Sequence, residues 1–459
     1  MQIEFLEVVT PSNVAVSAAR TCYFPNGIVP PQKSEGWERK ETLLENVFNG
    51  GHHTTLQHTH ITMMISGMSR HLIWRMLHGH AFYNSEQVSQ RYAKMKIENF
   101  VYPKACENNS ELKQEWQEYY ESCFSDYEEL RDILHPDVEA VVPKFRRKDS
   151  LKKAQEMARY VLPGGMSAYL YHTVNIITLL RYIAVAKSMP ECRDEAIGFA
   201  DLVAKKLLEL DSALVPLIKH AQKATPQLPK SNFDNVRCDK ELNVNNLKMK
   251  VKVYDVVGDA SFEVHENYAD VLRYSQMLND EGVLGGFSTY MKLSLSADAQ
   301  NQRHRKSPAV RPALESFYSR SFYIPPIISK NEQALALYKK SIQKSYDFFE
   351  TQKEVLGFGE AIYAISNAHE IELVERNDFT SFHHKAQMRL CYNAQEEIYD
   401  IVYEQVRQLR EMKIEGAEKF LPPCTVRKEM KIHPICPEGD HFCGVKVWKL
   451  DFEDYTREI

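Results

Sequence analysis

Polar and apolar residues alternate at the start of the chain, Ile3 and Phe5 against Gln2 and Glu4, which predicts a short strand with one buried face. Residues 41–49 carry helical spacing and stop at Gly50-Gly51. Residues 59–65 read as a strand that breaks at Gly67. Residues 69–78 return to helical spacing, with Leu72, Ile73, Met76 and Leu77 on one side. Residues 110–135 are acidic and aromatic at helical period, a surface helix. The most apolar stretch, 174–186, is too short to cross a bilayer and contains Arg181. Residues 226–248 hold Pro226 and Pro229 among charges and asparagines, and read as a linker. A second strand-like start follows over 249–254. The pattern divides the chain into a domain over 1–225, the linker, a domain over 249–420 and a tail over 421–459.

Composition narrows the class. A chain of 459 residues suits two domains. A net charge of -5 predicts neither a nucleic-acid nor a membrane partner. The first residues carry acids where a signal peptide needs bases, and the nine cysteines read as reduced thiols, so a cytoplasmic protein is expected. No Gly-x-Gly-x-x-Gly follows a strand, so a Rossmann site is not supported. In the tail, His433, Cys436, His441 and Cys443 offer sulfur and imidazole donors that could hold zinc, but their spacings match no usual ligand pair, and a packed, reduced tail is the preferred reading. Leu421-Pro422-Pro423-Cys424 reads as a turn.

The stretch Asn84-Ser85-Glu86-Gln87-Val88-Ser89-Gln90-Arg91-Tyr92 is too polar for a buried strand. If extended, it places Gln87, Ser89 and Arg91 on one face. A guanidinium beside a hydroxyl and an amide suits an oxyanion such as phosphate.

Upstream stand Gly51-His52-His53-Thr54-Thr55-Leu56-Gln57-His58 and His78-Gly79-His80, and downstream Ala158-Arg159-Tyr160-Val161-Leu162-Pro163 and Asn175. This order resembles the flavin-dependent thymidylate synthases. That family carries Gly-His-x-Ser/Thr, Arg-His-Arg, Ser-x-Arg-Tyr, Ala-Arg-x-Val-Leu-Pro and Asn-x-Arg segments, then an arginine set against the uracil ring. Here His78-Gly79-His80 replaces the triplet, Ile177 the flavin arginine and Ala186 the ring arginine. The second half keeps what the first lacks: Gln300, then Arg303-His304-Arg305, then Met388-Arg389-Leu390 and Ala394-Gln395-Glu396-Glu397-Ile398. Its own losses are Glu315 in the Ser-x-Arg segment and Ile362 in the Ala-Arg segment, with Asp378 and Thr380 at the flavin segment.

The resemblance implies an α/β (α+β) chain of two diverged copies of one fold, each a β-sheet with long helices. Family sites form between subunits of a tetramer, so complementary losses imply a fused duplication in which one of two alternating site types survives. A homodimer is expected to replace the tetramer. The implied reaction is methylation of dUMP to dTMP, with methylenetetrahydrofolate as carbon donor, FAD as hydride carrier and NADPH as reductant. The implied dUMP ligands are Gln87, Ser89, Gln90, Arg91, Arg159, Gln300, Arg303 and Arg389, with Arg389 catalytic. The implied FAD ligands are Thr54, Arg181, Arg303, His304, Arg305, Asp378 and Thr380. The eroded flavin contacts leave open a non-catalytic nucleotide- and flavin-binding relic, or a flavoenzyme alkylating another pyrimidine nucleotide.

Overall fold

The computed structural model describes residues 1–6, 9–227, 250–260, 264 and 281–457. The expected linker lies outside the described residues except for its first two positions.

Two antiparallel sheets have the same plan. In the first, β1 (Gln2–Phe5), β2 (His60–Ser69), β4 (Ser167–Asn175) and β3 (Asn84–Gln87) lie in the order β1-β2-β4-β3. In the second, β5 (Val251–Val257), β6 (Gly286–Ser294), β8 (Glu370–Asp378) and β7 (Ala309–Val310) lie in the order β5-β6-β8-β7. The long central strands pair in both sheets, His60 opposite Asn175 and Gly286 opposite Asp378. In each copy the second central strand runs directly into a helix, Ile176–Val185 or Phe379–Arg389, and a polar residue caps the junction. Asn175 accepts from the Thr178 backbone N–H at 3.0 Å, and Asp378 from that of Ser381 at 2.7 Å.

The chain forms two compact units that do not follow its halves. The first contains Met1–Ser122, Pro163–Pro229 and Asp347–Ile365; the second contains Cys123–Leu162, Lys230–Tyr346 and Ser366–Ile459. Each unit therefore takes a segment from the opposite half, ending in a buried tyrosine turn: Tyr363 in the first, Tyr160 in the second. The bonds that seat these turns are the same in both. Gly164 N–H donates to Ile365 and Gly165 N–H to Tyr363 in the first unit. Asn367 N–H donates to Leu162 and Ala368 N–H to Tyr160 in the second.

The cores are apolar and aromatic. In the first unit Trp116 donates to Gln352 at 3.1 Å, and Tyr119 stacks on Phe348 at 4.1 Å between ring centres. In the second, Phe287, Phe379, Phe382 and Phe420 pack edge to face or tilted.

Three local expectations are corrected. β2 does not break at Gly67 but continues to Ser69, because Gly67 takes φ +72 at a bulge between Ser66 and Met68. The helix expected over 69–78 is a single turn, Arg70–Leu72, followed by a π-turn, Ile73–Leu77. The stretch 84–92 is extended only to Gln87, and a turn starts at Ser89. The Ser89 hydroxyl takes the Arg91 backbone N–H at 3.2 Å and its carbonyl takes that of Ala93 at 2.9 Å. Such local side-chain bonds compete with a strand ladder.

Candidate functional site

The helix Phe379–Arg389 carries Lys385 and Arg389 in the second unit. Its buried face, Phe379, Phe382 and Ala386, ties it to the core. Lys385 lies on the same face, fully buried, and donates to Glu375 at 2.5 Å. Burial pulls the Lys385 pKa down, and the adjacent Glu375 carboxylate opposes that shift. Asn301 and Asn377 complete the hydrogen bonding of Glu375 at 2.7 and 2.8 Å, so the pair is compensated.

One turn beyond Lys385, Arg389 ends the helix, half buried. Its Nε donates to His304 Nε2 at 2.8 Å and its Nη2 to the Gln300 carbonyl at 2.9 Å. A guanidinium only donates, so His304 Nε2 must accept and the ring proton sits on Nδ1. The arginine is thus fixed from two directions before any ligand arrives.

A second chain of bonds starts at the same place. Gln300 Nε2 donates to Gln395 Oε1 at 3.0 Å, and Gln395 Nε2 meets the Tyr160 hydroxyl. That hydroxyl lies 3.1 Å from Glu396 Oε1 and 3.0 Å from Glu397 Oε2. Glu397 also takes Ser294 through its backbone N–H (2.7 Å) and its hydroxyl (2.5 Å). Burial raises the Glu397 pKa to about 8, against the pull of both Ser294 bonds. Arg159, buried beside Tyr160, belongs to this unit, and its carbonyl takes the Asn367 amide at 3.0 Å. The Ala-Arg arginine of the first half thereby falls in the same unit as Gln300, His304 and Arg389.

The arginine triplet follows the helix Leu295–Asn301 as a turn, with Arg303 half buried, His304 buried and Arg305 exposed. Asp378 is occupied as a cap, since both the N–H and the hydroxyl of Ser381 donate to it at 2.7 Å. The Thr380 Oγ1 is buried with no hydrogen-bond partner among the described residues. A buried orphan hydroxyl points to a ligand atom. Two arginines and an orphan hydroxyl within one unit fit a cofactor that carries phosphates and a polar ring.

The remaining named residues lie in the first unit. Gln87 ends β3, and its Oε1 is buried with no hydrogen-bond partner among the described residues. Gln90 is buried and donates to Met166 Sδ at 3.3 Å, so it faces inward. Ser89 and Arg91 are half buried, and Arg91 lies 5.1 Å from the Tyr92 ring centre. Thr54 is exposed on the turn His53–Gln57, and Arg181 is exposed with Phe82 beneath it at 5.6 Å.

The first unit fills the corresponding interior differently. Ala186 and Ile362 are buried, and Arg75 lies 3.6 Å from Glu191, which also holds His71 at 2.7 Å. His80 and His172 share the Tyr182 hydroxyl at 2.6 and 3.0 Å, and His78 stacks on Tyr83. Burial lowers His80 to about 4, helped by Arg181, and lowers His172 well below its ordinary value. Both shifts favour the neutral imidazole at His80 and His172.

Sequence reasoning did not foresee that Tyr160, Gln395 and Glu397 join in one buried network with Gln300. A signal existed: Ser69, Glu195 and Tyr363 repeat the arrangement in the first unit, at 2.7 Å and 2.6 Å from Ser69 and 3.0 Å from Tyr363 to Glu195. Reading the halves against each other exposes the shared Ser–Glu–Tyr set.

A family model described as "Thymidylate synthase complementing protein" matches residues 4–208 and 284–412, well over half of the chain. The flavin-dependent thymidylate synthase of Clostridium tetani is 27% identical over 183 residues, which cover 40% of this chain and 72% of that one. Its counterpart from Nitratidesulfovibrio vulgaris is 25% identical over 177 residues, covering 38% and 68%. Among solved structures, a UMP/dUMP methylase from Streptomyces cacaoi bound with 5-Br dUMP aligns at 14% identity and TM-score 0.37, over 49% of this chain and 97% of its own.

Proposed function

Because the chain belongs to the thymidylate synthase complementing protein family, we propose that it methylates dUMP to dTMP, with methylenetetrahydrofolate as carbon donor, FAD as hydride carrier and NADPH as reductant. The observation that carries this reading is Arg389, pinned by His304 and by the Gln300 carbonyl at the end of its helix.

Adding carbon at C5 of a uracil requires negative charge on the ring. A thiolate could create it, but burial pushes the Cys391 thiol, two residues from Arg389, up to about 12. A permanently cationic guanidinium against the ring stabilises that charge without a covalent bond. Its two hydrogen bonds hold it in place, so little reorganisation is needed as charge develops. Arg159, Arg303 and Gln300 serve the same nucleotide in this reading, with Gln87, Ser89, Gln90 and Arg91 as ligands toward the phosphate. Arg303, His304, Arg305, Asp378 and Thr380 would hold FAD, with Thr54 and Arg181 as its contacts from the first half. Bound reduced flavin would supply the hydride that completes the methyl group. The proton lost from C5 leaves to a base or to water.

The test is tritium release from dUMP labelled at C5, with the flavin-loaded protein, methylenetetrahydrofolate and NADPH. Release dependent on all three partners is expected, along with a yellow flavin spectrum that NADPH bleaches. A colourless protein that still binds dUMP would overturn the enzyme reading in favour of a relic.

A further inference from the structure

Four cysteines that are far apart in sequence line one small cavity in the second unit: Cys391, Cys424, Cys436 and Cys443. The cavity measures about 10 Å³, room for one water-sized atom and too little for an organic ligand. The four thiols are free. We propose that Cys391, Cys424, Cys436 and Cys443 form a structural zinc site that clamps the tail onto the end of the helix carrying Arg389.

The shared lining is the geometric support: all four cysteines border one cavity of single-atom size. Two cations are fixed beside the segments that carry them. Arg146 donates to Asn393 Oδ1 at 2.9 Å, two residues after Cys391, and Arg427 Nε to the Pro434 carbonyl at 2.8 Å, two residues before Cys436. Four thiols binding one Zn²⁺ release four protons and leave a doubly negative centre, which two arginines would offset.

Soft sulfur donors in a set of four select zinc over hard cations. Among the described residues no three His, Cys, Asp or Glu side chains already stand at metal-ligand geometry. Closing the set needs rotation about the cysteine χ1 bonds. The neighbourhood is otherwise built. Arg146 donates to Asn393 at 2.9 Å and Asn393 to the His441 carbonyl at 2.7 Å, which ties the tail to the residues just after Cys391. Spacing alone hid the site, since two ligands come from outside the tail's Cys/His cluster.

The experiment is elemental analysis of the full-length protein purified without chelator, with cobalt substitution as the spectroscopic check. About one zinc per chain is expected. Cys424→Ser and Cys443→Ser should each lower it to about a tenth or less, and Cys22→Ser should leave it unchanged. The cobalt form should show the thiolate charge-transfer band of a tetrahedral site. Wild-type protein without stoichiometric metal would overturn the proposal. So would intact mass showing disulfides among these four cysteines, or metal retained in both serine variants. None of these readouts depends on thymidylate synthesis.

Discussion

At the scale of single residues, position matters more than residue type. Arg311 and Arg389 are both arginines of the second unit, yet Arg311 is spent on Asp298 through two bonds of 2.6 and 2.9 Å. Arg389 instead sits at a helix end among Gln300 and His304. Arg389→Ala should lower turnover by about a hundredfold or more, as for a lost oxyanion donor, with flavin content unchanged. Single-turnover reoxidation of the reduced protein with dUMP and methylenetetrahydrofolate measures it, and an unchanged rate would remove Arg389 from the mechanism. Glu397 allows a prediction of a different kind. Its pKa rises from 4.5 to about 8 on folding, chiefly through burial. The folded protein therefore keeps a proton that the unfolded chain loses above about 4.5. The stabilisation is full below that value and is lost as pH rises through about 8. Glu397→Gln mimics the protonated form, so it should flatten the fall in melting temperature between pH 5 and about 8. A variant with the wild-type slope would show that Glu397 is not the titrating group.

At the scale of elements, the helix Phe379–Arg389 shows what the sequence made legible. The motif order singled out Asp378, Thr380 and Arg389, which the structure puts at the cap, first turn and end of this helix, and the strand-to-helix junction appears in both copies with an equivalent side-chain cap. The first strand of each copy was also readable, the second expected over 249–254 and found at Val251–Val257, because alternation reports a half-buried strand directly. The turn at Ser89 was not, because alternating polar residues look alike in a strand and in a turn stabilised by their own hydroxyls. Nor was the tyrosine exchange, since Tyr160 and Tyr363 owe their places to partners more than 160 residues away, such as Glu397 and Glu195. The four-cysteine cavity was hidden because Cys391 and Cys424 join it from outside the tail's Cys/His cluster. Asp378 combines an observed cap with a proposed flavin position, and a stability measurement can separate the two. Asp378→Ala removes both bonds from Ser381 and should cost about 1–2 kcal/mol, read as an earlier urea midpoint. Asn175→Ala should cost a similar amount, since Asn175 also takes both donors of Thr178. An unshifted midpoint for Asp378→Ala would mean the cap contributes nothing.

At the scale of the whole molecule, the two units hold the same positions with different chemistry. The second gathers Arg159, Gln300, Arg303 and Arg389. The first has Ile362, Arg75, His78 and Ala186 at the corresponding places, and the one fixed cation of these four, Arg75, is already engaged with Glu191. Ala186 and Ile362 are 1% exposed and apolar, so neither can stabilise charge on a ring or meet a phosphate. The Ser-x-Arg segments differ in the same sense, with Arg91 in one copy and the exposed Glu315 in the other. A cation replaced by an anion turns attraction for a phosphate into repulsion, so the copy with Glu315 should bind dUMP far more weakly. One dUMP per chain is therefore expected, and two per homodimer if the chain pairs to rebuild a four-domain body. Arg91→Ala should abolish binding, whereas Glu315→Ala should leave it intact. Ala186→Arg should add no second site, because Ile362 and His78 remain. Titration calorimetry of dUMP into the flavin-loaded protein, with light scattering for the number of chains, decides it. Two equivalent sites per chain would defeat the complementary-halves model, while a single site lost on mutating either Arg91 or Arg303 is what the partition requires.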